Sequence, residues 1–152
     1  MSSCGFKPML AKDSESFRML DEVRIAKVEG EDKDRLRMII LEEFDNDPHS
    51  VPLYDLNIRI KHNNYQQAIL KDGQATRYKV NVVLSYRLVD AENKKLVDEG
   101  ELYLNSGYDT SDSDFKNYIA DRNISDNLIR DLCYDLKSKI SLILIDKDNI
   151  VK

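Results

Sequence analysis

The sequence predicts an α+β sandwich in which two helices pack on one face of a four-stranded, mostly antiparallel sheet, in the order β-α-β-β-β-α. Three observations support this fold class. Apolar residues alternate with polar ones in the middle of the chain, as in strands with one buried face. They recur at helical spacing in one segment before the alternating region and in one after it. The 152 residues are 41% apolar and 34% charged, which suits one folded domain with its own core.

The first third of the chain contains one strand and one helix. Residues 1–20 have no apolar period, and we expect an extended N-terminal lead. A short strand is expected at about 21–29, with Val23, Ile25 and Val28 as its apolar residues. Residues 31–46 are expected to form a helix, whose apolar positions are Leu36, Ile39, Ile40 and Phe44. Residues 31–52 would be the crossover that lets the first strand pair in parallel with a later one.

Three further strands are predicted, and they are joined by short turns. One begins at Leu53, and its apolar face carries Leu56, Ile58 and Ile60. The next spans about 77–89, after a turn at Lys71-Asp72-Gly73, because Asp-Gly tolerates positive φ. The last spans about 95–108, and Gly100 within it is a candidate β-bulge.

The final element is a long amphipathic helix. Ser111 or Ser113 can cap it, because a serine hydroxyl accepts a hydrogen bond from a free amide of the first turn. Phe115 and Ile119 are expected to begin its buried stripe, which continues at Ile124, Leu128, Leu132, Leu136, Ile140 and Leu144. We therefore divide the chain into the lead, 1–20, a single α+β domain, 21–146, and a C-terminal tail, 147–152.

The charge is distributed unevenly along the chain. The formal net charge is −5 and the pI is about 5.1, which argues against nucleic acid as a partner. Residues 53–97, however, carry 8 basic and 4 acidic groups. A basic centre between two acidic ends indicates an anionic partner, or ordinary variation of a solvated surface.

No catalytic, metal or cofactor site is predicted. The two histidines have no ligand partner at the spacing that zinc requires, and the five glycines form no phosphate-binding loop. Cys133 lies in the apolar stripe of the last helix, where a free cysteine acts as a small hydrophobe. We expect no enzyme.

The basic residues of the central strands define a candidate binding face. If the even-numbered side chains of the hairpin strands face the helices, the opposite face carries Arg59, Lys61, Arg77, Lys79 and Arg87. The hairpin tips add Lys71, Lys94 and Lys95. Such cations can bind an anionic headgroup through charge-assisted hydrogen bonds, although a solvated sheet face would have a similar composition.

The N-terminus contains a candidate lipidation site. Ser3-Cys4-Gly5 resembles the end of a bacterial lipoprotein signal peptide, in which small residues precede an acylated cysteine. Acylation of Cys4 would anchor the domain to a membrane without crossing it. The alternative is that this likeness is chance. A disulfide between Cys4 and Cys133 also remains open, although a terminal cysteine intended for acylation argues against it.

Several segments together resemble the lipopolysaccharide (LPS)-assembly lipoprotein family LptE, particularly its alphaproteobacterial forms. They are the Cys4-Gly5-Phe6-Lys7-Pro8 start, the Ala75-Thr76-Arg77 step, the strand end at Tyr86-Arg87-Leu88-Val89-Asp90, Ser106-Gly107-Tyr108 and the serine-capped last helix. Met9-Leu10 departs from the Leu-Tyr expected after Pro8.

The resemblance implies a non-enzymatic lipoprotein of a Gram-negative outer membrane, lipid-anchored on the periplasmic side. Such a protein plugs the LptD-type β-barrel, helps it to assemble and binds LPS, for which the basic hairpins would be suited. Two alternatives remain: an auxiliary lipoprotein of a lipid-handling ABC transporter, and an envelope scaffold.

Overall fold

The computed structural model describes residues 19–70, 72–73 and 75–151, and these include the six predicted elements in the predicted order. The strands are β1 (Val23–Glu29), β2 (Tyr54–Ile69), β3 (Ala75–Asp90) and β4 (Leu96–Asp109). The helices are α1 (Lys33–Phe44) and α2 (Asp114–Val151). The predicted fold class is confirmed: two helices accompany one four-stranded mixed sheet.

The strands lie in the order β1-β2-β3-β4. β1 is parallel to β2, as the crossover through α1 predicts, and the other two pairs are antiparallel. β1 is much shorter than β2, and its last partner there is Arg59. The half of the sheet that includes β1 is called the proximal half, and the half towards the β2–β3 turn is called the distal half.

The core lies between the sheet and the two helices. Even-numbered residues of β2 and β3 face the helices, as predicted, because successive side chains of a strand alternate between faces. The buried residues from these strands are Leu56, Ile58, Ile60, Val80, Val82, Leu84, Tyr86 and Leu88. The helices contribute the expected stripes, Leu36, Ile39, Ile40 and Phe44 from α1, and Leu128, Ile129, Leu132, Cys133, Leu136, Ile140 and Leu144 from α2.

The first turns of α2 differ from the prediction. Ser113 caps the helix, since its Oγ accepts a hydrogen bond from the amide of Lys116 at 3.3 Å. Phe115 and Ile119 are nevertheless 72% and 37% exposed. The prediction that they begin the buried stripe is wrong.

Polar side chains of the sheet also contact the first turns of α2. His62 and Asn64 extend towards the helix from β2, and both contact the carboxylate of Asp121, at 3.1 Å and 2.7 Å. These polar contacts accompany partial apolar packing, since Tyr108 of β4 and Ile124 of the helix are only partly buried against the core. Full burial of the apolar stripe starts further along, at Leu128.

Gly100 is not a bulge. It pairs in register with Tyr86, and the irregularity between β3 and β4 lies at Leu88 and Val89 instead. A Cβ atom at Gly100 would lie 3.1 Å from the hydroxyl oxygen of Tyr86. That hydroxyl donates a 2.6 Å hydrogen bond to Asp98, so the ring cannot easily move. The close approach of a buried ring therefore favours glycine at this position.

Both ends of the predicted domain extend into neighbouring segments. Residues 147–151, which the sequence assigns to a tail, continue α2 as far as Val151. Leu20, the last residue of the expected lead, is buried in the core. Neither helix in the described part of the chain is both long and apolar enough to cross a membrane.

Candidate ligand-binding face of the sheet

The face of the sheet that the helices leave uncovered carries the predicted cations. Odd-numbered residues of β2 and β3 point to this side, and we call it the open face. The side chains of Arg59, Lys61, Arg77, Lys79 and Arg87 share it, in agreement with the expected alternation. Their arrangement divides the open face into two regions with different electrostatics.

In the proximal half, the cations are neutralised by carboxylates from the flanking strands. Arg59 forms an ion pair with Glu29 of β1 at 2.7 Å, and Lys27 contacts the same carboxylate at 2.7 Å. These two cations lower the pKa of Glu29 to about 2. Arg87 pairs with Glu99 of β4 at 3.2 Å. We call this set of contacts the ion-pair region, and it lines a shallow groove.

The proximal end is neutralised in the same way. The carboxylate of Asp55 is buried, and it pairs with Arg24 of β1 at 2.7 Å and with Lys94 at 3.3 Å. Lys94 reaches it from the β3–β4 turn, where Asp90 accepts hydrogen bonds from two backbone amides. Lys95 is exposed and has no ion pair with a described residue.

The distal half has a different composition. Nine open-face positions there form three rows across β2, β3 and β4, which are Lys61–Val83–Tyr103, Asn63–Asn81–Asn105 and Tyr65–Lys79–Gly107. We call these nine residues the amide patch. It contains no acidic residue, and neither of its lysines forms an ion pair within the described chain. The three asparagine side chains make no hydrogen bond to described residues.

Arg77 closes the amide patch towards the β2–β3 turn. It donates hydrogen bonds to Asp109 at 2.9 Å and to Gln67 at 3.1 Å. Its guanidinium lies across Gly107, where an added Cβ would approach it to 2.9 Å. Arg77 is therefore held in place and partly neutralised.

Two predicted site residues lie outside the described part of the chain. They are Lys71, at the β2–β3 turn, and the lipidation candidate Cys4. The other candidates are placed, and they divide into two sets. Arg59, Arg77, Arg87 and Lys94 are paired with carboxylates. The cations without a carboxylate partner among the described residues are Lys61, Lys79 and Lys95.

Sequence reasoning missed both the carboxylate partners and the asparagine row. Three of the partners, Glu29, Glu99 and Asp109, come from β1 and β4 and lie outside the basic segment 53–97, whereas Asp55 lies within it on β2. The asparagines are separated along the chain and meet only through the register of three strands. Their placement on odd positions, opposite the apolar residues, was the one signal available in the sequence.

Neither a metal site nor a reactive thiol is found among the described residues. Among the described residues, no three His, Cys, Asp or Glu side chains are grouped as metal ligands. Cys133 is fully buried, and this burial raises the pKa of its thiol to about 12, so the thiol is not a reactive nucleophile.

The fold is similar to those of several solved bacterial lipoproteins. A protein from Caulobacter crescentus that is designated a lipoprotein has a TM-score of 0.67 and 18% identity, over 87% of this chain and 96% of its own. Rare lipoprotein B from Shewanella oneidensis has a TM-score of 0.51 and 8% identity, over 84% and 97%.

A third structure, the uncharacterised lipoprotein B from Nitrosomonas europaea, has a TM-score of 0.56 and 13% identity, over 80% of this chain and 86% of its own. At these identities the likeness is one of fold. No protein-family profile matches the sequence, and no curated protein matches it significantly.

Proposed function

We propose that this protein is a non-enzymatic lipoprotein of the outer membrane of a Gram-negative bacterium, anchored through Cys4, that binds LPS and plugs and helps to assemble an LptD-type β-barrel. The observation that carries the proposal is the fold, which this chain shares with bacterial lipoproteins over nearly their whole length. The lipobox-like Ser3-Cys4-Gly5 is consistent with it. The open face brings together ion pairs, amides and tyrosines, and not a nucleophile with a base, which favours binding over catalysis.

We assign LPS binding to the cations that have no carboxylate partner in the described part of the chain. A paired guanidinium must give up its carboxylate before it can bind a phosphate, whereas a free ammonium group exchanges only water. Lys61, Lys79 and Lys95 are therefore better candidates for phosphate contacts than Arg59, Arg87 or Lys94.

Membrane anchoring is tested by metabolic labelling with a fatty acid. The barrel partner is tested by affinity purification of the full-length chain from detergent-solubilised outer membranes. We expect fatty-acid label on the wild type but not on Cys4→Ser, and an LptD-type β-barrel as the main co-purifying protein. Recovery with an inner-membrane ABC transporter instead would favour the auxiliary-lipoprotein function and contradict ours.

LPS binding is tested by titrating purified LPS into the double variant Lys61→Glu/Lys79→Glu. The matched control is Lys33→Glu/Lys116→Glu, because both of those lysines are exposed on the helices and have no ion pair with described residues. Two lysines of α2 are unsuitable as controls. Lys137 donates a hydrogen bond to the backbone carbonyl of Glu43, and Lys139 lies over the buried ring of Tyr86.

We expect the open-face variant to weaken binding more at low salt than at high salt, because exposed charges are screened over a Debye length of about 8 Å at physiological ionic strength. The helix variant should bind as the wild type does. Equal weakening by both variants would refute the assignment of LPS binding to the open face.

A further inference from the structure

We propose that the amide patch is a carbohydrate-binding subsite that recognises a phosphorylated oligosaccharide. Such a ligand corresponds to the sugar part of LPS and not to its acyl chains. The inference rests on the proposed function for the source of the sugar. It concerns residues that the predicted basic face did not include, namely the asparagines and the tyrosines.

The asparagine row supplies the polar recognition. Each carboxamide offers two N–H donors and a carbonyl acceptor, which complement hydroxyl groups that both donate and accept. Asn63, Asn81 and Asn105 lie side by side on three adjacent strands. Because neighbouring strands are about 4.8 Å apart, the row extends for about 10 Å. None of the three is engaged by another described side chain, so their hydrogen-bonding capacity is available.

Two tyrosines flank the row with exposed rings. Tyr103 is 70% exposed and Tyr65 is 49% exposed, and they lie at opposite corners of the amide patch. A tyrosine offers a large, rigid, amphipathic contact surface at a low cost in conformational entropy. The C–H face of a sugar ring can pack on such a ring while its hydroxyl groups reach the amides.

The lysines indicate that the sugar is anionic. Lys61 and Lys79 lie in the rows on either side of the asparagines, and the amide patch has no carboxylate to neutralise them. The ion-pair region on the same face has the opposite property, since each of its arginines is paired. We therefore expect a phosphate-bearing ligand to bind at the amide patch and not at the ion-pair region.

The amide patch is also preorganised. Its central positions are on β3, which pairs with a strand on each side, and the intervening residues Val80 and Val82 are fully buried in the core. Binding therefore does not require an ordering of the backbone, and this reduces its entropic cost. Acyl chains are disfavoured because Val83 is the only aliphatic side chain in the amide patch.

Single-stranded nucleic acid is the competing ligand, since it also combines aromatic stacking with contacts to phosphate. The chain's formal charge of −5 disfavours it, because affinity for nucleic acid is dominated by basic charge. We therefore favour the oligosaccharide.

The test is NMR titration of the ¹⁵N-labelled protein, following the side-chain amide signals of the asparagines. The probes are deacylated LPS, the same oligosaccharide after dephosphorylation, inorganic phosphate, phosphatidylglycerol vesicles and oligo(dT). The variants are Asn81→Ala and its matched control Asn57→Ala. Both asparagines are half-buried on the open face of an internal strand, but Asn57 lies beside the ion-pair region.

We expect deacylated LPS to shift the signals of the three patch asparagines, with affinity about tenfold lower for Asn81→Ala, the loss of about one well-formed hydrogen bond. Asn57→Ala should stay within about twofold of the wild type. Dephosphorylation should weaken binding several-fold, and free phosphate should cause no comparable shifts.

Equal losses in Asn81→Ala and Asn57→Ala would overturn the inference. So would equal shifts with phosphate, with vesicles or with oligo(dT). If intact LPS binds but its deacylated form does not, the subsite is refuted while the proposed function stands. If the deacylated form binds but intact LPS does not, the subsite stands and LPS binding by this protein is refuted.

Discussion

Leu136 is a direct test of how α2 is held to the sheet. It lies near the middle of the helix and its side chain is completely buried. Leu136→Ala removes three carbon atoms, worth about 2.4 kcal/mol at about 0.8 kcal/mol for each buried CH₂. The residual cavity adds to this, so we expect a loss of about 3–5 kcal/mol in the free energy of unfolding.

The assay is urea denaturation followed by circular dichroism, because the chain has no tryptophan for fluorescence. The midpoint should fall by about 1–5 M, since small proteins lose about 1–3 kcal/mol per molar urea. The matched control is Leu142→Ala in the same helix, where the leucine is 53% exposed. It should cost less than about 1 kcal/mol. Equal losses at the two positions, or a loss below about 1 kcal/mol at Leu136, would refute the packing described above.

Three further predictions concern single residues. Gly30→Ala should destabilise the fold strongly, because its φ is +149° and a Cβ would lie 2.7 Å from the carbonyl oxygen of Ile60. The control Gly73→Ala has open space around it and should cost only its backbone strain. Equal melting temperatures of the two variants would contradict this difference. Cys133 should resist iodoacetamide at pH 8 until the protein unfolds, because burial raises its pKa to about 12. The pKa of Glu29 is lowered to about 2, so its ionised carboxylate should contribute stability above pH 4.5, and this stability should be lost as the pH falls towards 2. Acid titration of Glu29→Gln should therefore show a smaller fall in stability over that interval.

The element order and the buried faces could be predicted because they depend on local spacing. Leu56, Ile58 and Ile60 alternate with polar residues, and only one face of a strand can then be buried. The same spacing argument failed for Phe115 and Ile119. Helical periodicity reports which residues share a stripe, but not how far the partner surface extends beneath it.

Gly100 shows a second limit. A glycine within a strand is compatible with a bulge or with the close approach of another group. The choice depends on Tyr86, which lies opposite Gly100 in the register of β3 and β4. That register is a property of the assembled sheet.

The sequence by itself determined the α+β class, the order of the elements, the parallel crossover and the cations that share the open face, because each follows from residues close together in the chain. Only the tertiary structure decided which of those cations pair with a carboxylate. Arg59 meets Glu29 across a separation of 30 residues, and Asn63, Asn81 and Asn105 become neighbours only when three strands pair. Electrostatic and hydrogen-bonding partners are set by distance in space, and strand pairing brings together charges and amides that no local pattern relates.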